Sequence, residues 1–162
     1  MQPVVTLTEG ELLLARQIAN FRTGWNRISG ITKIKYGDSD PYANEVIGVC
    51  GEIVFGKHFN FYLDLSFEPR SGVPDFTTNN DKTWDVKTTT MANGRLVVNK
   101  AKENKPKSNY YALVTGTIPT FTIRGYASAD EVFSSVIDLG YGPCFGLQQD
   151  QLHSFKSKNE KD

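Results

Sequence analysis

Two histidines and two cysteines are all the imidazole and thiol metal ligands this 162-residue chain has. Cys50 and Cys144 form no Cys-x-x-Cys or other metal spacing, and with no signal segment in view they are expected to be reduced and to serve packing. No Gly-x-Ser-x-Gly elbow and no P-loop is present, which argues against a serine nucleophile of that kind and against ATP-driven work. No apolar run approaches membrane length, and Met1-Gln2-Pro3-Val4-Val5 lacks both a basic start and a hydrophobic signal core. A cytoplasmic protein without a membrane span is expected. No linker, repeat or low-complexity stretch divides the chain, so one domain over residues 1–162 is expected.

Net charge is also missing: 18 basic residues balance 18 acidic ones. The distribution, however, is uneven. Arg16, Arg22, Arg27, Lys33 and Lys35 lie in a stretch without acids, and Lys100 and Lys102 belong to a second basic stretch over residues 95–107. Between them the acids gather, among them Glu45, Glu52, Asp75 and Asp85. Basic flanks suit phosphates and an acidic centre suits cations, although lysines and arginines on ordinary solvated faces give the same pattern.

The densest chemistry lies in Pro74-Asp75-Phe76-Thr77-Thr78-Asn79-Asn80-Asp81-Lys82-Thr83-Trp84-Asp85-Val86-Lys87. Two strand-like stretches, 73–78 and 83–89, flank an Asn-Asn-Asp turn. With the turn centred on Asn80, Asp75 falls opposite Asp85 and Phe76 opposite Trp84, and Lys87 shares the face of Asp85. Opposed like charges on a strand pair are destabilising, and a cation between them relieves the conflict. Oxygen ligands without a nearby His or Cys suit Mg²⁺ or Mn²⁺ before Zn²⁺. The same spacing also fits a polar hairpin face whose aspartates look at solvent.

Upstream, residues 44–58 read as an amphipathic helix, with Val46, Val49, Cys50, Ile53 and Val54 on one face and Glu45, Gly48, Glu52 and Gly56 on the other. Each internal glycine costs a helix about 1 kcal/mol relative to Ala, so glycines here call for a neighbour that approaches closely.

Gly51-Glu52 on a helix, then Pro74-Asp75, then Asp85-Val86-Lys87 resembles the PD-(D/E)XK nuclease superfamily, the restriction-endonuclease-like fold. The resemblance covers about residues 44–126, and its style looks most like small phage-encoded or homing-type members. It implies an α/β fold with a mixed central sheet flanked by helices, the core running in αβββαβ order. It also implies Mg²⁺- or Mn²⁺-dependent hydrolysis of DNA that leaves 5′-phosphate and 3′-hydroxyl ends. Asp75 and Asp85 would bind the metal with the Val86 carbonyl, Glu52 would complete the shell or hold a second ion, and Lys87 would position or activate the attacking water. Glu45, seven residues before Glu52 and nearly on the same helical face, is an outer-shell candidate. One small domain has one centre, so a homodimer or higher oligomer is expected for cutting both strands. His58 and His153 are too few for an HNH or zinc nuclease. A noncatalytic nucleic-acid-binding or protein-interaction module that keeps the fold is the reading from another class.

The rest is read coarsely. Thr8-Glu9-Gly10-Glu11 matches a capping box that opens a helix over about 9–23, with Leu14, Ile18, Phe21 and Trp25 expected in the core. Residues 28–40 look like a loop or an irregular DNA-facing element, and 61–67 like a strand. Residues 110–115 and 121–126 should be strands joined by a turn at Ile118-Pro119, while 96–108 is ambiguous, with a brief or partial helix expected. Ser128-Ala129-Asp130-Glu131 is a second capping box, opening a helix to about Ile137 in a C-terminal part that spans 128–162.

Overall fold

A computed structural model describes residues 1–30, 40–66 and 73–155. A short strand β1 (Val4–Thr6) leads into helix α1 (Glu9–Ile28), which runs five residues beyond the expected end at 23. The capping box forms: Thr8 Oγ1 accepts from the Glu11 N–H at 3.2 Å, and the Glu11 carboxylate accepts from the Thr8 N–H at 2.8 Å. The buried stripe differs from the expected one. Ile18 is inside, but Leu14, Phe21 and Trp25 are 41%, 53% and 43% exposed. Ala15, Ile18, Ala19 and Arg22 point inward instead, at helical spacing. The cause is the neighbouring helix α2 (Pro41–Phe59), which packs along α1 where two alanines allow a closer approach than Leu14 and Phe21 would.

Asp40 caps α2 by accepting from the Tyr42 N–H at 2.9 Å, Pro41 occupies the first turn, and Asn60 ends the helix with φ 58°. The expected two-faced pattern gives way to burial on all sides, since every residue from Val49 to Gly56 is buried, Glu52 included. Two of its glycines have the close neighbour that such a helix calls for. A Cβ on Gly51 would lie 1.8 Å from Thr88 Oγ1, and one on Gly56 would lie 3.1 Å from the Phe76 ring.

The central sheet is mixed, with order β1-β6-β5-β3-β2, its further strands being β2 (Phe76–Thr77), β3 (Thr83–Thr89), β5 (Tyr110–Thr117) and β6 (Thr120–Ser128). Only β3 and β5 run parallel. The β2–β3 register is the expected one, with Phe76 opposite Trp84 and Thr77 opposite Thr83. Asp81 takes a left-handed conformation in the turn, at φ 59°. Trp84 and Val86 face the core under α1 and α2, with Phe55 at its centre, so Asp85 and Lys87 face the other way.

Behind that second face lies a smaller antiparallel sheet of order β4-β8-β7, made of β4 (Leu96–Val98), β7 (Val136–Asp138) and β8 (Pro143–Leu147), with helix α3 (Ala129–Phe133) beside it. A second core of Leu96, Val98, Leu113, Val132 and Phe145 fills the space between. Three expectations are corrected here. Residues 61–66 form no strand. Between β3 and β5 the brief or partial helix expected over 96–108 is a single 3₁₀ turn (Lys100–Lys102) preceded by β4, so the αβββαβ order is not reproduced with a full second α-helix among the described residues. The Ser128/Glu131 capping box forms, but its helix stops at Phe133, since Val136 and Ile137 pair with β8 instead of continuing it. What the described residues establish is a mixed α/β fold with helices packed on a mixed central sheet. None of their helices is long and apolar enough to cross a membrane.

Candidate active site

The strand β2 covers only two residues of β3, so the edge of β3 beyond Trp84 needs another partner. Asp75 supplies it. Its N–H donates to the Trp84 carbonyl at 2.9 Å, and its carboxylate accepts from the Val86 N–H at 2.7 Å. Period-two alternation along β3 then puts Asp85 and Lys87 on one face, where the Lys87 ammonium forms an ion pair with Asp85. The α2 carboxylate of Glu52 stands near enough to act on Asp75 electrostatically. Glu52, Asp75, Asp85 and Lys87 therefore come together from three separate segments.

Arg22 is the residue that sequence reasoning misplaced. Expected on a DNA-facing surface, it is 9% exposed, and both Nη atoms donate to Glu52, at 2.7 Å and 2.9 Å. Glu45 lies 3.7 Å from the same guanidinium. A signal was present: Arg22 continues the Ala15, Ile18, Ala19 stripe, and an arginine on an inward stripe needs an acidic partner. Tyr111 was overlooked as well. It is the cross-strand neighbour of Asp85, and burial together with that carboxylate pushes its phenol pKa upward.

The charges are unequal. Glu45, Glu52, Asp75 and Asp85 face Arg22 and Lys87, with Lys102 at the border, which leaves one negative charge unbalanced when all are ionised. Asp75 bears the consequence. Burial, then Glu52 and Asp85, push its pKa well above the usual carboxylate range, and Lys87 and the Val86 N–H only partly offset this. Burial alone would lower the Lys87 pKa, but Asp85 and Asp75 outweigh it and hold the ammonium above its ordinary value.

In charge and donor type these residues fit a divalent ion. Among the described residues no group of three or more His, Cys, Asp or Glu stands close enough to hold a metal by itself. That is compatible with Mg²⁺, which binds through one or two carboxylates and keeps several waters. Both oxygens of Glu52 already accept from Arg22, whereas Asp85 shares one oxygen with Lys87 and Asp75 gives one to the Val86 N–H, so each aspartate keeps an oxygen for an ion.

The basic residues separate into groups. Lys102, half-buried in the 3₁₀ turn, borders the cluster: burial and then the like charge of Lys87 lower its pKa. Lys100 pairs with Glu103 at 3.0 Å and sits 4.6 Å over the Phe145 ring. Arg16 and Arg27 are exposed on α1, and Lys33 and Lys35 lie outside the described residues. Trp84 is engaged internally, 4.7 Å from the Tyr110 ring and 5.5 Å from Phe55. Comparison with protein-family models, curated proteins and solved structures gives no match to this chain.

Proposed function

We propose that this chain is a metal-dependent DNA endonuclease with a restriction-endonuclease-like core. The observation that carries the reading is Asp75, a buried carboxyl under the charges of Glu52, Asp85 and Lys87 in a cluster where acids outnumber bases. Such an arrangement is costly to folding, and sites of this kind cluster where chemistry is done. The resemblance of Gly51-Glu52, Pro74-Asp75 and Asp85-Val86-Lys87 supplies the reaction class. Two differences stand beside it: the missing strand at 61–66 and the strand-and-turn in place of a helix before β5.

Asp75 and Asp85 would hold Mg²⁺ or Mn²⁺, with the Val86 carbonyl as the further candidate ligand. When bound, the ion would neutralise charge developing on the phosphate and acidify a coordinated water. Lys87 would act as a charged donor: with its pKa raised by two aspartates it is an ammonium at neutral pH, suited to orienting the attacking water and countering phosphate charge rather than to removing a proton. Lys102 would extend that positive rim toward the DNA backbone, and Arg16 and Arg27 are the exposed basic residues on α1. Two copies would be needed to cut both strands.

A noncatalytic nucleic-acid-binding or interaction module is the second reading. It is favoured by the internal pairing of the site, in which Lys87 is bound to Asp85 and Glu52 to Arg22. Incubating supercoiled, linear, single-stranded and branched DNA with Mg²⁺ or Mn²⁺ separates the two. Cutting that EDTA and Asp85→Ala both abolish supports the nuclease; DNA binding without cutting of any form supports the module.

A further inference from the structure

We infer that the Arg22 guanidinium stands in the place of a second metal ion, so that the centre takes a single divalent ion, held by Asp75 and Asp85. This rests on the metal-dependent reading above and adds a stoichiometry to it. Arg22 reaches across the α1–α2 interface and occupies both oxygens of Glu52, at 2.7 Å and 2.9 Å, with Glu45 at 3.7 Å. Glu45 and Glu52 are seven residues apart on one helical face, so two carboxylates converge on one cation. Bridging two carboxylates is what a second ion in an acidic centre does.

The packing around Arg22 gives independent support. It is 9% exposed in an interface otherwise built from Ala15, Ile18 and Ala19, and its Nε is buried without a hydrogen-bond partner. That unmade bond is a cost that the pairing of the charge with Glu52 and Glu45 must offset. The position serves a fixed positive charge, and a guanidinium is one that cannot be discharged at any working pH. The charge count agrees. Four carboxylates against Arg22, Lys87 and the bordering Lys102 leave one negative charge, so one divalent ion already reverses the balance and a second would overshoot further.

The test counts Mn²⁺ ions on the full chain by calorimetric titration and by the electron paramagnetic resonance of free Mn²⁺. Wild type is expected to bind one ion, Arg22→Met two, because Glu45 and Glu52 are released, and Arg22→Met with Glu52→Gln one again. Thermal midpoints in Mn²⁺ and in EDTA cover a variant that folds poorly: Mn²⁺ should raise the Arg22→Met midpoint more than that of wild type. Two ions on wild type, or one on Arg22→Met, overturns the inference and leaves the metal-dependent reading in place. An Arg22→Met chain that Mn²⁺ does not restore overturns it too, leaving Arg22 as a structural tie. No ion on wild type removes the metal-dependent reading itself.

Discussion

Replacing Gly51 by alanine probes the contact that sets the depth of Glu52. The added Cβ would lie 1.8 Å from Thr88 Oγ1, 2.9 Å from Thr88 Cβ and 3.0 Å from Thr88 Cγ2. Ordinary contact begins at 3.4 Å, so α2 and β3 must part by about 0.5 Å to clear Thr88 Cβ, and by up to about 1.6 Å if Thr88 keeps its rotamer. Rotating Thr88 relieves only part of this, because its Cβ cannot move with χ1 and a β-branched side chain has few alternatives. Overpacking of this kind costs about 1–3 kcal/mol. Alanine in a helix recovers about 1 kcal/mol over glycine. With so short a contact the upper part of the range applies, giving a net loss of about 2 kcal/mol. For a chain of this size that corresponds to a fall in Tm of about 4–8 °C. Urea titration should show a lower midpoint with an unchanged slope, and Thr88→Ala should restore part of the loss, a coupling that a double-mutant cycle reads directly. A Gly51→Ala chain as stable as wild type, or more stable by its gain in helix propensity, would refute the close approach of α2 to β3.

Asp75→Asn should raise the thermal midpoint in EDTA at neutral pH while removing cleavage, because it deletes the carboxyl that burial, Glu52 and Asp85 make hardest to ionise; a lower midpoint would mean that the cluster is not short of positive charge. Glu131, held down to about 2 by Ser128 and His153, contributes stability that is complete above its ordinary 4.5 and lost as pH falls from there toward 2. Glu131→Gln should therefore flatten the acid limb of a pH–stability curve between those values, by a small amount, since the side chain is 42% exposed. Cys50, whose thiol burial pushes up to about 11, should react with a thiol reagent at neutral pH only after unfolding. Rapid labelling of Cys50 in the native protein would contradict its enclosure between the helices and the sheet.

Features governed by neighbours in sequence were legible before the fold was known. Both Ser/Thr-to-Glu capping boxes form, and the Asn-Asn-Asp turn sets the register that brings Asp75 beside Asp85. The turn at Ile118-Pro119 joins β5 to β6 as expected. Features governed by distant partners were not. Whether Leu14 or Ala15 points inward depends on how closely α2 approaches, and α1 alone carries apolar residues on both sides. The smaller sheet escaped notice because β4 and β7 have three residues each, too few to display a period, and acquire their strand form only by pairing with β8. The site divides in the same way: Asp75, Asp85 and Lys87 follow from one hairpin, whereas the buried pairing of Arg22 with Glu52 joins residues 30 positions apart.

The dispersed origin of the site has a consequence for how the chain acquires it. The β5–β6 ribbon is joined through a tight turn and pairs residues close in sequence, the kind of contact that forms early. The carboxylate centre needs α1, α2 and the β2–β3 hairpin to dock together, and β3 must also find β5 in parallel across an intervening strand and turn. Loop closure makes such long-range steps the slow ones. Molecules that already show sheet signal can therefore still lack the centre. A refolding experiment followed by circular dichroism alone would overcount competent molecules, and burial of Cys50 against a thiol reagent is the better clock.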